Sequence, residues 1–391
     1  MPLPRTQSTF ISPIVEAHSW LDGISFPEDR PLLNVSQAAP IDPPPLGLRQ
    51  AMAEAALNDD SAHLYGPVLG RADLRAGLAA QISTHYAANV SADQTAITSG
   101  CNQAFAATIA SLCADGDEVI IPTPWYFNHK MWMDMSGVGA ISLPVGADML
   151  PDPQHAAELI TPRTRAIALV SPNNPCGVEY PADLLRAFYD LAKSHGLALI
   201  LDETYRDFDS RSGPPHQLLQ IEDWDQTLIH LYSFSKAYRL TGHRVGAIAT
   251  SAERLVEMEK FLDTVTICPN QLGQIGALWG IENLSQWVAT ERTEILDRRA
   301  AIHESFAILG ERGWKLLGCG AYFAYVEHPF ELTSTEVARK LVSQASVLML
   351  PGSMFLPHDD PAGARQFRIA FANVDRTALS ELFRRLAAFE L

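Results

Sequence analysis

The 391-residue sequence has few cysteines and comparatively little positive charge. Its five cysteines are odd in number, widely spaced and free of any Cys-x-x-Cys pair, so they indicate neither a disulfide framework nor a cysteine metal site. We therefore predict that the protein has no metal-binding site. Only 29 lysines and arginines face 45 aspartates and glutamates, which gives a net charge of −16 and disfavours nucleic acids and acidic membranes as partners.

Long apolar runs are missing as well. No run approaches the roughly 20 apolar residues that a membrane-spanning helix requires, and residues 1–7 lack the continuous apolar core of a secretory signal. Hydrophobic residues make up 47% of the chain and charged residues 19%, a composition typical of globular proteins. The sequence therefore predicts a globular protein of the reducing cytoplasm with no membrane partner.

Residues 90–250 alternate short β-rich runs with longer helical patterns, including Gln103–Cys113 and Pro181–Ser194. Most of the β-rich runs are almost continuously apolar, which is typical of parallel strands covered on both faces. This alternation predicts an open α/β sheet. The predicted strands are Thr95–Thr98, Glu118–Ile121, Ala166–Val170, Leu197–Leu201, Thr227–Tyr232 and Val245–Ala249.

A second, smaller α+β domain is predicted after a long helical stretch, Gln271–Gly310. Its predicted elements are the strands Trp314–Leu317, Tyr322–Val326, Val347–Leu350 and Gln366–Phe371 and the helices Ser334–Gln344 and Arg376–Phe389. The proline-rich segment 27–46 is predicted to be an extended or crossing segment. The predicted division is an N-terminal arm at 1–30, a small domain at 31–45 and 290–391, and a large domain at 46–289.

Lys236 lies in the motif Ser233-Phe234-Ser235-Lys236, and Arg244 follows eight residues later. A lysine amine can form a Schiff base with an aldehyde cofactor, while the serines and the arginine can hold a phosphate group. Pyridoxal 5'-phosphate (PLP) requires such a lysine together with a carboxylate at its ring nitrogen. Alone, the motif is better explained as a solvated loop with a surface lysine, so the functional interpretation depends on residues upstream.

Two polar motifs upstream follow predicted strands directly. Asp202 comes after Leu197–Leu201, where a carboxylate could pair with a protonated pyridine nitrogen or could instead cap a helix. Tyr205, three residues later, could donate a hydrogen bond to the phenolic oxygen of the cofactor. Asn174 lies in the segment 171–177, which fits either a turn or an amide that binds the same oxygen.

Two further motifs occupy the same position after a strand. Gly100, Cys101 and Asn102 join a strand to a helix, and a glycine turn at a helix N-terminus presents free N–H groups to a phosphate. Tyr126 follows another strand and could stack on the cofactor or simply pack at the strand end. Because ligands of open α/β sheets gather at the carboxyl ends of the strands, these motifs are predicted to meet at one edge.

The ordered set of motifs resembles the class I/II aminotransferase group of fold-type I PLP enzymes. The motifs that carry the resemblance are Tyr65 to Gly70, Gly100–Asn102, Asn174-Pro175-Cys176-Gly177, Asp202 to Tyr205, Ser233 to Arg244, and Arg368. The resemblance implies a large domain with a mostly parallel seven-stranded sheet and a smaller α+β domain. It also implies PLP as cofactor and transfer of an amino group from an L-amino acid to a 2-oxo acid such as 2-oxoglutarate or pyruvate.

The resemblance further implies a role for each cofactor-binding residue. Lys236 would form the Schiff base and shuttle the proton, and Asp202 would pair with the pyridine nitrogen. Asn174 and Tyr205 would bind the phenolic oxygen. The residues implied to hold the phosphate are Ser233, Ser235 and Arg244 with the backbone amides after Gly100, those of Cys101 and Asn102.

The remaining implied roles concern the substrate and a second subunit. Arg368 would bind the substrate α-carboxylate, while Ala38 and Ala39 stand near a position where relatives often have glycine and would narrow that approach. Tyr126 would stack on the cofactor ring, with Trp125 as the alternative. Tyr65 would reach the phosphate of the neighbouring subunit, which makes the protein a homodimer with composite sites.

Several alternatives stay open at this point. The same Schiff base serves C–S β-elimination, racemisation, decarboxylation and cyclopropane-carboxylate synthesis, and an aminotransferase-like transcription regulator is a further possibility. A dicarboxylate substrate needs a second cation, but Arg292, Arg298 and Arg299 fall on one predicted helix and are interpreted as solvated. The aromatic residues indicate an apolar or aromatic substrate side chain; they are Trp125, Tyr126, Phe127, Tyr322 and Phe323.

Overall fold

The computed structural model describes residues 4–391, in which thirteen strands and fourteen α-helices are formed. The strands are β1 (Leu33–Asn34), β2 (Thr95–Thr98), β3 (Glu118–Thr123), β4 (Gly139–Pro144), β5 (Thr164–Val170), β6 (Ala198–Asp202), β7 (Leu228–Ser233), β8 (Gly246–Ala249), β9 (Lys315–Gly320), β10 (Phe323–Glu327), β11 (Val347–Leu348), β12 (Leu350–Pro351) and β13 (Gln366–Ala370). The helices are α1 (Pro13–Ser19), α2 (Leu46–Asn58), α3 (Ala72–Tyr86), α4 (Cys101–Leu112), α5 (Phe127–Ser136), α6 (Pro153–Glu158), α7 (Ala182–Ser194), α8 (Phe234–Ala237), α9 (Ala252–Thr266), α10 (Gln271–Asn283), α11 (Ser285–Ser305), α12 (Ala307–Gly310), α13 (Ser334–Lys340) and α14 (Arg376–Ala388).

The central sheet has seven strands in the order β2-β8-β7-β6-β5-β3-β4. β8 runs antiparallel to both neighbours, and the other adjacent pairs are parallel. This confirms the mostly parallel seven-stranded sheet. Six of the strands match predicted runs closely, whereas β4 was not predicted because it is a half-exposed edge strand with a mixed polar and apolar sequence.

Both faces of the central sheet are covered, which explains the nearly continuous apolar runs. In β6, Ala198 and Ile200 pack into one core with Phe105 of α4, while Leu199 and Leu201 pack into the opposite core. Because side chains alternate along a strand, Asp202 emerges on the same face as Ile200. This alternation separates the side chains that follow β6 into two layers.

A second sheet, β12-β13-β10-β9, is antiparallel and packs with α11 and α14 around its own core. The predicted strand Val347–Leu350 is divided at Met349, because β11 pairs with β1 whereas β12 pairs with β13. The predicted helical stretch Gln271–Gly310 forms three helices, α10 to α12.

Of the predicted N-terminal arm, residues 1–3 lie outside the described residues. Across residues 4–391, no helix has both the length and the apolar character that a membrane crossing needs.

Candidate active site

A cavity of about 360 Å³ lies at the carboxyl ends of β5, β6 and β7, where it is also bordered by the start of α4 and by β13. Twelve of the predicted site residues line it together. They are Ala38, Cys101, Asn102, Tyr126, Asn174, Asp202, Tyr205, Ser233, Ser235, Lys236, Arg244 and Arg368. Residues far apart in the sequence thus converge on one edge of the sheet, as the strand-end argument predicts.

Lys236 is the amine of this cavity. It lies on the short helix α8 directly after β7, and its Nζ donates a hydrogen bond to the carbonyl of Ala38 at 2.7 Å. Burial, with smaller contributions from the guanidinium groups of Arg244 and Arg368, lowers the pKa of Lys236 to about 8. Near neutral pH the amine therefore has an appreciable uncharged fraction, which is the form that attacks a carbonyl.

Asp202 is held as a buried carboxylate beside a histidine. Its Oδ1 accepts a hydrogen bond from the Thr204 backbone N–H at 2.9 Å, and its Oδ2 lies 3.3 Å from Nε2 of His129. Burial by itself would raise the pKa of Asp202, but His129 and Thr204 lower it below its usual value. The carboxylate is thus available to an acidic N–H group on a ligand.

His129 was not predicted from the sequence. Its ring stacks on Phe105 with centroids 3.8 Å apart, and only 4% of the residue is exposed. It follows Tyr126 by three residues at the start of α5, so both side chains lie on one side of that helix. That spacing is the only signal in the sequence, and it is too common to identify a ring partner for Asp202.

Next to the cavity, Gly100 at the start of α4 lies tightly against Arg244 and Gly246 of a second segment. Gly100 has a φ of +87°, and a Cβ at this position would collide with the guanidinium of Arg244. A Cβ at Gly246 would collide with the backbone of Gly100 and Cys101. The close approach leaves the start of α4 open to the cavity, beside Ser235, whose hydroxyl accepts a hydrogen bond from Arg244 at 3.4 Å. Such a cradle suits a phosphate group.

Arg368 is a buried cation without an acidic partner. It is 2% exposed, and no carboxylate of residues 4–391 forms a salt bridge with it. Its Nη1 donates to Asn174 Oδ1 at 3.0 Å, and the rings of Phe323 and Phe355 lie 5.0 and 4.9 Å from its guanidinium carbon. Burial lowers the pKa of Arg368 to about 10. An unpaired buried cation is costly, so this arrangement indicates an anionic ligand.

The structure distinguishes between the two candidate stacking residues. Tyr126 lines the cavity, where its hydroxyl donates to Asn102 Oδ1 at 3.2 Å and accepts from Asn128 Nδ2 at 2.9 Å. Trp125 does not line it and packs instead into the core behind β3. Of the two candidates, Tyr126 is therefore the one whose side chain borders the cavity, together with the aromatic residues Phe127 and Tyr205.

Three predicted site residues do not line the cavity. Gly100 lies behind its wall against Arg244, and Ala39 lies next to the lining residue Ala38. Tyr65 is 81% exposed on the surface of the chain. The lining also includes residues that were not assigned to the site from the sequence, among them Ile14, Val15 and Gln37. No sequence motif marks these three, because they reach the cavity only through the path of the N-terminal segment.

Comparison with known proteins agrees with this geometry. The family described as "Aminotransferase class I and II" matches residues 30–386. The chain is 30% identical over 298 residues to aromatic aminotransferase ISS1 of Arabidopsis thaliana, which covers 74% of this chain and 73% of that protein. It is 27% identical over 327 residues to the aspartate aminotransferase of Pyrococcus abyssi, with 82% of each chain covered.

Solved structures with the same fold include two aminotransferases. The Thermus thermophilus aspartate aminotransferase with maleate superposes with a TM-score of 0.87 at 24% identity and covers 99% of both chains. YbdL from Escherichia coli, described as having a methionine aminotransferase function, superposes with a TM-score of 0.88 at 22% identity and covers 100% of both chains. At these identities the two structures support the fold.

Proposed function

Since the chain belongs to the class I and II aminotransferase family, we propose that it is a PLP-dependent enzyme that transfers the amino group of an apolar or aromatic L-amino acid to a 2-oxo acid such as 2-oxoglutarate or pyruvate. The observation that carries the proposal is the single cavity in which a lysine of lowered pKa, a buried carboxylate, a phosphate cradle and an unpaired buried arginine converge.

The residues of the cavity fit PLP. Asp202 would hold the pyridine N–H, Asn174 and Tyr205 would bind the phenolic oxygen, and Tyr126 would cover the ring. The phosphate would be held by Arg244, Ser233 and Ser235 with the N–H groups of Cys101 and Asn102, next to the tight turn at Gly100. When bound, PLP supplies an electron-withdrawing ring that accommodates the negative charge formed at the substrate α-carbon.

Lys236 performs the proton transfers in this proposal. With its Nζ uncharged, it would take the proton from the substrate α-carbon and return a proton to the cofactor carbon on the other side of the amino nitrogen, so one amine would act as base and as acid. Arg368 holds the substrate carboxylate in place meanwhile, and its planar guanidinium suits two parallel hydrogen bonds to that group. Fixing the carboxylate fixes which bond at the α-carbon stands toward Lys236.

The charges around the cavity favour a neutral substrate side chain. Among residues 4–391, the cationic side chains that line it are Lys236, Arg244 and Arg368, and each has a role in the proposal. Arg292 instead binds the backbone carbonyls of Asp209 and Arg211 at 2.7 and 3.0 Å. Because no further cationic side chain of residues 4–391 lines the cavity to bind a second carboxylate, we expect aromatic and aliphatic amino acids to be preferred over aspartate.

A panel of amino acids with 2-oxoglutarate and pyruvate as acceptors tests this function. We expect kcat/KM for phenylalanine, leucine or methionine to exceed that for aspartate by at least about 10-fold, because binding a second carboxylate without a counter-charge costs several kcal/mol. The 2-oxo acid product should form without ammonia. Release of pyruvate and ammonia from a cysteine conjugate, with no transamination, would identify a C–S lyase instead.

We further propose that the protein is a homodimer with composite sites, to which Tyr65 contributes from the partner subunit. The proposal is supported by the exposure of Leu64 and Tyr65, at 65% and 81%, which leaves both side chains free to contact a partner subunit. We expect sedimentation to show a dimer and Tyr65→Ala to weaken PLP binding by about 10-fold, the effect of one lost hydrogen bond to a charged group. A monomer that binds PLP with unchanged affinity after this substitution would contradict it.

Two further features of the sequence prediction are retained as proposals. The five cysteines of the structure are free, which supports a reducing, cytoplasmic location that cell fractionation would check.

The central sheet lies within the predicted large domain, 46–289, and the four-stranded sheet within 290–391. Limited proteolysis that cuts first near residue 45 or 290 would support that division.

A further inference from the structure

A second buried polar layer lies on the opposite side of the sheet edge from the cavity. Three of its members are next to, or two residues from, a residue that lines the cavity. Arg206 follows Tyr205, Tyr232 precedes Ser233, and Tyr238 comes two residues after Lys236. These three are 2%, 0% and 3% exposed, and none of them lines the cavity. The layer therefore contacts the same backbone segments that carry Tyr205 and Lys236.

Arg206 is held in this layer by an aromatic ring and by one hydrogen bond. Its guanidinium carbon lies 3.8 Å from the centroid of the Tyr232 ring. Its Nη2 donates to Oε1 of Gln81 at 2.7 Å, the only hydrogen bond that the guanidinium makes within residues 4–391. Burial would lower the pKa of Arg206, but Tyr232, Tyr86 and nearby carboxylates raise it, so the group stays charged.

Gln81 completes a connection between the two segments. It lies on α3, and its Nε2 donates to the hydroxyl of Tyr238 at 2.8 Å while its Oε1 accepts from Arg206. One amide thus joins the turn after β6, which carries Tyr205, to Tyr238, which directly follows the helix α8 that carries Lys236. The amide oxygen accepts from Arg206 and the amide nitrogen donates to Tyr238, so the Gln81 side chain has one orientation. In that orientation it holds the two segments at one distance from each other.

The carboxylate next to Asp202 extends the same layer. Glu203 is 2% exposed and accepts a hydrogen bond from Nε2 of His216 at 3.1 Å. The other ring nitrogen of His216 accepts the Leu218 backbone N–H at 3.2 Å, so Nε2 carries the proton. Asp202 and Glu203 thus point to opposite sides of the sheet edge. Glu203 and Arg206 of this polar layer each come directly after a residue that lines the cavity, Asp202 and Tyr205.

We propose that Arg206 and Gln81 are positioning residues that hold Tyr205 at a fixed place relative to Lys236. The inference rests on the proposed function, in which both groups act on the same bound ring. A displacement of about 1 Å between them would lower the rate of the chemical step by roughly 10–100-fold while leaving substrate binding at Arg368 largely intact. A role in folding alone would lower stability and leave the rate of the folded enzyme unchanged.

Variants of Gln81 test the proposal, because this half-buried residue on α3 can change without opening the core. Gln81→Leu removes both hydrogen bonds, whereas Gln81→Glu retains an acceptor for Arg206 and another for the Tyr238 hydroxyl. In the PLP-loaded enzyme we expect Gln81→Leu to lower kcat by about 10-fold with KM changed less than about 3-fold, and Gln81→Glu to stay within about 2-fold of wild type. Arg206→Met, which disturbs the core more, should show the larger fall.

A spectroscopic measurement separates positioning from stability. A hydroxyl that donates to the phenolic oxygen of bound PLP favours the deprotonated cofactor, so a displaced Tyr205 should raise the midpoint pH of the visible absorbance change. We expect this rise in Gln81→Leu and not in Gln81→Glu. Arg292→Met is the matched control, since Arg292 binds the same loop through Asp209 and Arg211 without contacting Gln81 or Tyr238.

A double-mutant cycle completes the test. If Gln81 acts through Tyr205, Gln81→Leu should lower kcat by less than about 2-fold when Tyr205 is already phenylalanine. An equal fall in both backgrounds, or an unchanged kcat and midpoint with a lower melting temperature of the cofactor-free protein, would overturn the proposal. A wild-type enzyme with no cofactor band would contradict the proposed function instead, so the two failures are distinguishable.

Discussion

Lys236→Ala is expected to all but abolish transamination, with a fall in kcat of up to about 10⁴-fold. The reason is that one amine both anchors the cofactor and moves the proton at the substrate α-carbon, and no other lysine lines the cavity within residues 4–391. Turnover with an amino donor and a 2-oxo acid measures the loss, and the visible absorbance of the loaded protein should change with it. Lys260→Ala is the matched control, because that side chain is 68% exposed and pairs only with Glu257.

The same lysine predicts how cofactor binding depends on pH. Only the uncharged amine attacks the aldehyde, and the uncharged form of Lys236 grows as pH rises toward a pKa of about 8, well below the ordinary lysine value of 10.5. The rate at which PLP combines with the cofactor-free protein should therefore rise with pH up to about 8 and then level off. A rate that continues to rise to pH 10 would show that the amine is not buried beside Arg244 and Arg368.

Arg368→Leu is expected to have the second largest effect. The substitution removes the buried cation that binds the α-carboxylate, and the leucine is compatible with the neighbouring rings of Phe323 and Phe355. Loss of one partner from a buried ion pair costs about 3–5 kcal/mol, so kcat/KM for amino acids should fall by roughly 10²–10⁴-fold. Steady-state kinetics should show most of this loss as a raised KM.

The choice of substrate provides the control for Arg368. A primary amine that lacks the α-carboxylate gains nothing from the arginine, so its slow reaction should change by less than about 3-fold in the leucine variant. Arg365→Leu removes a guanidinium from the residue just before β13, where its Nε donates to the His328 carbonyl, and should leave amino-acid kinetics unchanged. Equal losses for the amine and the amino acid would show that Arg368 supports the fold rather than the carboxylate.

The large sheet was predictable because its strands are buried on both faces. Nearly continuous apolar runs mark β5, β6 and β7, and their ends locate Asn174, Asp202 and Lys236 without any tertiary information. β4 escaped prediction because an edge strand needs no such run. The division of Val347–Leu350 between two sheets could not be predicted either, since it depends on which strands lie on each side of Met349.

The candidate site was predictable where a motif of several residues carries it. Gly100 and Arg244 belong to such motifs, and their contact requires a glycine at that turn. His129 was missed because its role comes from its distance to Asp202 across the sheet edge, and a single histidine on a helix has no characteristic neighbours. The approach of Ile14 and Val15 to the cavity was missed for the same reason.

The most direct test of the account is to find the residue to which the cofactor becomes attached. The purified protein is loaded with PLP, reduced with borohydride so that a Schiff base becomes a stable amine, digested, and analysed by mass spectrometry. We expect the phosphopyridoxyl group on Lys236, in the peptide that contains Ser233 and Ser235, and its absence from the Lys236→Ala variant. A stoichiometric label on any other lysine, or no label at all in a protein that catalyses transamination, would contradict the assignment of this cavity as the active site.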